Sequence, residues 1–339
     1  MPYQISLLPD DVRFAADADQ SVLESALAAG LLIPHGCRNG ACGACKGRVI
    51  TGRIDHRNTA ESVLPATERE SGYALLCCAV PCSDLVLEVS SVRRAGDVPV
   101  KKLPCRVQLL ERVAPDVMKI ELKLPAGEPF QFYAGQYIDI LLADGQRRSF
   151  SIANAPDEQG SIELHVRLID KGVFTGHVFN GMKVRDILRF EGPLGTFRLS
   201  DAPLPVIMVA GGTGFAPIKA MIEEMIRRDV QRSVTLYWGA RTQSGLYMDK
   251  LARHWETQLT GFRYIPVLSE NIPEDGWSGR RGLVHEAVLA DMADLSDHEV
   301  YVCGAPAMID AARRAFRAER NLPEKAFFAD AFTFSSSPS

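Results

Sequence analysis

The chain has 339 residues, with 38 Lys and Arg against 42 Asp and Glu, a formal net charge of −4, and 46% hydrophobic residues. At about 150 residues per domain this length predicts two to three domains, each able to bury its own core, and the composition excludes a disordered chain. The absence of a basic run excludes a nucleic-acid footprint, and no apolar run approaches the roughly 18 residues of a membrane span.

The start, Met1-Pro2-Tyr3-Gln4, has neither the basic flank nor the apolar core of an export signal, so a cytoplasmic location is expected. Residues 3–15 alternate loosely and predict a hairpin turning near Pro9-Asp10-Asp11. Ser21-Val22-Leu23-Glu24 is a capping-box pattern that opens a short helix, which Gly30 closes. A Gly- and Cys-rich loop over 34–47 follows, and Leu85–Val89 reads as a last strand. Residues 1–92 carry 7 basic and 11 acidic side chains, so the whole net charge belongs to the first quarter of the chain. Arg93–Pro99, charged and containing Gly and Pro, begins a linker over 93–103.

Strand-like runs at 105–110, 117–124, 136–142, 148–153 and 161–168 predict a small antiparallel barrel or sandwich over 104–200. From 201 to 339 the pattern becomes strand, turn and helix: 205–210 then 217–229, 233–239 then 246–258, 299–303 then 306–320. Such alternation predicts an α/β domain with a parallel sheet.

Six of the eight cysteines lie between Cys37 and Cys82, which in a chain without an export signal argues for metal before disulfides. Cys37-x4-Cys42-x2-Cys45, with Cys77 after 31 intervening residues, is the plant-type [2Fe–2S] spacing. Gly36, Gly40 and Gly43 let a loop wrap tightly and bring backbone N–H groups to the sulfurs. A structural zinc site would prefer a second C-x2-C pair, which Cys77, Cys78 and Cys82 do not supply. Cys77, at the end of the apolar run Gly72–Leu76, is the expected fourth ligand; Cys78 and Cys82 are the alternatives. Cys78 and Cys105 read as small core residues.

The strand Val206–Ala210 runs into Gly211-Gly212-Thr213-Gly214 and then a helix, a setting in which glycines let a pyrophosphate reach backbone N–H groups. After the strand at 233–239 no acidic residue awaits a ribose hydroxyl; Arg241 either meets a 2′-phosphate, as in an NADPH enzyme, or stands in solvent. A nicotinamide gives up two electrons together, whereas a [2Fe–2S] cluster accepts one at a time. A chain holding both needs a flavin, expected among residues 104–200. There Arg148 suits a pyrophosphate, Phe150 an isoalloxazine face and Ser151 its N5, and Gly172-Val173-Phe174-Thr175 opens a short helix.

These motifs together resemble the ferredoxin–NAD(P)H reductase superfamily, in the branch with an N-terminal plant-type ferredoxin domain. Residues 3–333 carry the resemblance, through the cysteine loop, Arg148-Ser149-Phe150-Ser151, Gly211–Gly214 and Cys303-Gly304-Ala305-Pro306. It implies a β-grasp [2Fe–2S] domain over 1–92, an antiparallel FAD barrel over 104–200 and an NAD(P) α/β domain over 201–339. It further implies that Arg148, Ser149, Phe150, Ser151, His165, Val166, Arg167, Gly172 and Thr175 contact FAD, with Phe150 where Tyr is usual. Gly212, Thr213, Gly214, Cys303 and Gly304 would contact the nicotinamide nucleotide, and Phe332 would lie near the flavin in a tail shared with Phe327, Phe328 and Phe334. Ser151, Cys303 and Phe332 are the implied catalytic positions.

The implied activity passes electrons from NADH, or NADPH, through FAD and the cluster to a partner protein. Phe327–Phe332 is most similar to the CDP-6-deoxy-glucoseen reductases; reductase components of aromatic oxygenases keep the same fold, and a redox sensor would keep the same cofactors. The acidic first quarter is the expected docking face for the partner. His35 reads as a loop residue or as a hydrogen-bonding neighbour of the cluster, and Arg313, Arg314, Arg317 and Arg320 as a solvated helix face.

Overall fold

The computed structural model describes residues 2–332 apart from 37, 39, 41, 42, 58, 60, 62, 90, 91, 95–97, 158, 159, 271–276 and 278. It divides into two compact units, one drawn from Met1–Pro99, Gly195–Phe197 and Asp330–Ser339, the other from Val100–Leu194 and Arg198–Ala329.

The first unit contains β1 (Tyr3–Leu8), β2 (Val12–Ala16), α1 (Val22–Ala28), β3 (Leu31–Leu32), β4 (Lys46–Thr51) and β5 (Ile54–Asp55). After these come α2 (Ala66–Glu70), β6 (Tyr73–Leu75), β7 (Val80–Pro81), β8 (Leu85–Glu88) and β9 (Arg93–Arg94). The expected hairpin forms, with Ile5 opposite Phe14, and β1 then runs parallel to β8 in a sheet ordered β2-β1-β8-β4-β6. Parallel central strands gripping one helix make this the β-grasp. The capping box is present: Ser21 Oγ accepts from Glu24 N at 3.2 Å, and the Glu24 carboxylate accepts from Ser21 N at 3.1 Å. Ile5, Leu7, Leu23, Ala26, Ile33, Leu75 and Leu87 fill the core beneath it. Strand structure reaches both ends of the expected linker, because β9 pairs with β3 and the next strand begins at Lys101.

The second unit opens with β10 (Lys101–Ala114), β11 (Val117–Lys123), β12 (Tyr137–Leu141), β13 (Arg147–Ser151), β14 (Ser161–Arg167), α3 (Val173–Asn180) and β15 (Ile187–Leu194). Their order is β13-β12-β15-β10-β11-β14, antiparallel throughout. A bridge between Ile152 and Leu164 joins the two edges, so the sheet closes as a barrel around Val107, Ile120, Ile138, Leu164 and Phe190. β15 carries no clear strand signal in the sequence, since Gly192-Pro193 interrupts it and Ile187 is exposed.

The unit continues with β16 (Val206–Gly211), α4 (Phe215–Arg227), β17 (Val234–Ala240), α5 (Asp249–Gln258) and β18 (Phe262–Leu268). After these come β19 (Arg280–Arg281), α6 (Val284–Asp291), β20 (Glu299–Gly304), α7 (Pro306–Arg320) and β21 (Phe327–Ala331), of which Phe327–Ala329 belong to this unit. The sheet order is β19-β18-β17-β16-β20-β21, and β16 through β20 pair in parallel. The order reverses between β16 and β20, and in open α/β sheets ligands bind outside the carboxyl ends at such a switch point. At the opposite end, buried Arg232 donates to Glu299 at 2.7 Å and to the Leu204 and Ser200 carbonyls, while Ser200 Oγ and Tyr301 OH donate to Glu299. Among the described residues no helix is long and apolar enough to cross a membrane.

Arg232→Met leaves the Glu299 carboxylate buried without its counter-charge. The expected loss is about 3–5 kcal/mol, read as a lower urea midpoint with an unchanged denaturant slope.

Candidate functional site

In the first unit the chain turns from β3 into the cysteine loop and returns through β4. Cys37 and Cys42 lie outside the described residues. Of the other expected ligands, buried Cys45 and partly exposed Cys77 bring their sulfurs to 3.2 Å. Cys78 Sγ is 3.7 Å from Cys77 Sγ and packs against Gly40, whereas Cys82 is exposed beside the Val80 carbonyl. Burial pushes the Cys105 thiol up to about 12, in keeping with its place in the barrel core. His35 is buried, with Nδ1 on the Ile33 carbonyl at 2.8 Å and its backbone N–H donating to Thr196 Oγ1. Burial first, and the Arg38 charge after it, hold its imidazole below the ordinary range against the raising effect of the Ile33 bond. It is thus a structural part of the loop.

In the second unit, β13 presents the expected flavin residues. Phe150 is partly exposed and packs on Phe174 of α3 at 5.5 Å between centroids. The Arg148 guanidinium donates to Gln146 Oε1 and the Arg147 carbonyl, Ser149 Oγ donates to Asp139, and Ser151 is buried at the strand end. Thr175 Oγ1 braces the turn before α3: it accepts from Ile169 N at 3.2 Å and donates to the Gly172 carbonyl.

At the carboxyl end of the parallel sheet, Gly212–Gly214 form a 3₁₀ turn that runs directly into α4, so backbone N–H groups gather at a helix N-terminus. A Cβ on Gly214 would stand 2.1 Å from the Cys303 carbonyl oxygen; only glycine lets the end of β20 lie against this turn. Cys303 is fully buried there. Trp238 Nε1 donates to the Gly212 carbonyl at 2.9 Å, and its indole stacks on Phe215 at 3.8 Å. Nothing in the sequence around Trp238 signals that role.

The face of β14 opposite the barrel core carries Glu163, His165 and Arg167. His165 Nε2 faces Glu163 Oε1 at 2.8 Å, and Nδ1 faces Tyr247 OH at 2.9 Å. Lys219 Nζ meets Glu163 at 3.0 Å, Glu223 at 2.8 Å and the Ala153 carbonyl at 3.0 Å. Arg167 pairs with Asp116 at 3.0 Å and packs its guanidinium against Gly212. Burial pushes the Glu163 carboxyl up, but the His165 hydrogen bond and the Lys219 charge outweigh it and hold the group at about 2. Burial, the largest cause, keeps His165 below its ordinary value despite Glu163. Val166 points the other way, into the barrel core. Sequence reasoning expected His165, Val166 and Arg167 as flavin contacts and did not single out Glu163, Lys219 and Tyr247.

Arg241, 83% exposed at the end of β17, ion-pairs with Glu270 at 2.5 Å, and Glu270 N donates to the Arg241 carbonyl at 3.0 Å. Phe332 belongs to the first unit and is partly exposed; Phe334 lies outside the described residues. Phe328 stacks on Tyr301 at 4.6 Å.

Residues 5–82 match the family described as 2Fe-2S iron-sulfur cluster binding domain, 104–199 the oxidoreductase FAD-binding domain, and 208–314 the oxidoreductase NAD-binding domain. The CDP-6-deoxy-L-threo-D-glycero-4-hexulose-3-dehydrase reductase of Yersinia pseudotuberculosis is 40% identical over 332 residues, 98% of this chain and 99% of that one. A terephthalate 1,2-dioxygenase reductase component of Comamonas sp. is 38% identical over 340 residues, 99% and 98% of the two chains. The crystal structure of the Amycolatopsis cytochrome P450 reductase GcoB shares a TM-score of 0.80 at 33% identity and covers 98% of this chain and 100% of its own.

Cluster, flavin and nucleotide folds in one chain define a flavin iron–sulfur reductase, an enzyme of electron transfer. The chain belongs to the ferredoxin–NAD(P)H reductase superfamily, in the branch that places a plant-type ferredoxin domain first, and its cofactors are a [2Fe–2S] cluster, FAD and NAD(H).

Gly214→Ala forces the turn away from Cys303. NADH-driven flavin bleaching should fall at least about a hundredfold in stopped flow, the scale of an ångström-sized misplacement, while the cluster's visible absorption stays intact.

Proposed function

We propose that this reductase accepts electrons from NADH and delivers them, through FAD and the [2Fe–2S] cluster, to a cytoplasmic CDP-hexulose dehydrase partner. The observation that carries this reading is 40% identity over 98% of the chain to a reductase named for that dehydrase. The nearly equal identity to the terephthalate dioxygenase reductase makes an oxygenase component the competing acceptor.

The residues present fit the cofactors. Cys45 and Cys77 already hold their sulfurs together, and Cys37 and Cys42 complete the ligand spacing. Phe150 offers an aromatic face, Arg148 a charge for pyrophosphate and Ser151 a hydroxyl; His165 and Arg167 support that edge from β14, and Gly172 and Thr175 shape the start of α3. Gly212, Thr213 and Gly214 would hold the nucleotide phosphates on backbone N–H groups, with Cys303 and Gly304 lying against the same turn. When bound, FAD supplies the exchange between paired and single electrons that joins a hydride donor to a one-electron cluster. The chain's part is positioning and exclusion of water.

The acidic side chains Asp10, Asp17, Asp19, Glu61, Glu70 and Glu88 of the first unit are exposed, and their charge suits a basic partner. Stopped-flow reduction of the dehydrase component should therefore slow as ionic strength rises. A salt-independent rate overturns the docking face, and faster turnover with an oxygenase component overturns the acceptor.

Cys77→Ser should abolish cluster iron and labile sulfide, whereas Cys78→Ser keeps both. Metal and sulfide analysis of the two purified variants decides between the sulfurs.

The Glu270 carboxylate beside Arg241 occupies its guanidinium and would repel a 2′-phosphate, which favours NADH. Glu270→Gln frees the guanidinium and should raise kcat/KM for NADPH about tenfold, with little change for NADH.

A further inference from the structure

The sequence Ile162-Glu163-Leu164-His165-Val166-Arg167 alternates strictly, so β14 has two different faces. Ile162, Leu164 and Val166 are buried in the barrel core. Glu163, His165 and Arg167 lie on the other face, and each meets a different piece of the nucleotide-binding half. Glu163 meets Lys219 in the second turn of α4, His165 meets Tyr247 beyond β17, and Arg167 meets Gly212 in the phosphate turn. The His165 ring also lies nearly parallel to Phe215 at 6.5 Å.

The hydrogen bonds specify one arrangement. Glu163 is acceptor only, so His165 carries its proton on Nε2; Nδ1 then accepts from the Tyr247 hydroxyl. Both ring nitrogens are committed to protein partners. Lys219 is 5% exposed and has three acceptors, two of which, Glu163 and the Ala153 carbonyl, come from the barrel. Its third, Glu223, lies one turn along its own helix. An ammonium that far from water needs all three; sliding α4 by one residue would strip it of both barrel acceptors.

We propose that the outer face of β14, with Glu163–Lys219 at its centre, is a key that fixes the phosphate turn and α4 in a single register against the flavin barrel. Glu163, Lys219 and Tyr247 are positioning residues: they act through the placement of Gly212 and Phe215. The proposal rests on the reading that NADH and FAD meet in this unit, and it assigns the residues that set their alignment.

Hydrogen–deuterium exchange of the holoenzyme without nucleotide tests the key apart from the reaction. Lys219→Met and Glu163→Gln should each raise exchange in α4, β14 and the phosphate turn, and leave β1, β4 and β8 unchanged. Exchange unchanged in α4, or raised equally in the first unit, overturns the proposal. In stopped flow both variants should slow flavin reduction by NADH about tenfold and expose a larger isotope effect with 4-deuterated NADH. Electron delivery from the chemically reduced enzyme to the acceptor should stay at the parental rate. The double variant should cost no more than the worse single one, whereas multiplying losses would mean that the two groups act independently and the key does not exist. Tyr247→Phe, which removes one hydroxyl, gives the milder form of the same signature should a charge variant fail to fold. If exchange responds but the isotope effect does not, the key is overturned as a determinant of hydride alignment. Absence of any flavin reduction by NADH in the parental enzyme would instead overturn the functional reading.

Discussion

A buried ammonium cannot be left unpaired, and Lys219 is where that constraint shapes the second unit. Taking a charge of this kind from water costs several kcal/mol, recovered only when acceptors surround it in good geometry. Here the barrel supplies Glu163 and the Ala153 carbonyl while α4 supplies Glu223. Such a pair adds little to stability compared with an apolar contact of the same volume, so its value lies in register. Leu and Val would accept a shift of an ångström; a buried Lys–Glu pair does not.

The same half of the molecule uses a second rigid contact for the same purpose. α4 begins where the phosphate turn ends, so the position of the helix is the position of the turn. Gly214 brings that turn against the Cys303 backbone, and Trp238 ties down the Gly212 carbonyl from the neighbouring strand. Phe215 stacks on Trp238 and lies nearly parallel to the His165 ring, which links the aromatic stack under the turn to the polar face of β14. The phosphate turn is thus held from the sheet below, from β20 beside it and from the barrel across it. A site built this way is pre-organised, because its backbone N–H groups need no reordering when an anion arrives.

Local chemistry was legible in the sequence; distant pairing was not. The Ser21 capping box, the hairpin at Pro9, the strand–turn–helix at Val206 and the α7 boundaries all follow from neighbours a few residues apart. Cys45 and Cys77 were legible across 32 residues because metal chemistry imposes a spacing. β15 was lost because Gly192-Pro193 reads as a turn, although its neighbours β10 and β12 supply the pairing that makes it a strand. Lys219 sits on an amphipathic helix, where a lysine ordinarily marks the solvated face; only its burial against β14 shows otherwise. For Arg241 the sequence left a 2′-phosphate contact and a solvated position open, and gave no sign of Glu270, 29 residues away, as its partner. Each miss is a contact whose partner comes from a different element.

The distribution of charge follows from what each part must bind. A nicotinamide dinucleotide is an anion through its pyrophosphate, so a strongly acidic surface around the phosphate turn would oppose its entry. Residues 93–339 carry 31 basic and 31 acidic side chains and have no net charge. The excess of four negative charges is confined to residues 1–92, which hold the cluster ligands and no part of the phosphate turn. Within a Debye length of about 8 Å at physiological salt, that acidity acts on whatever approaches the surface of the first unit itself. The excess acid charge and the stretch that forms the phosphate turn thus belong to different parts of the sequence, so a substitution can change one without changing the charge balance of the other.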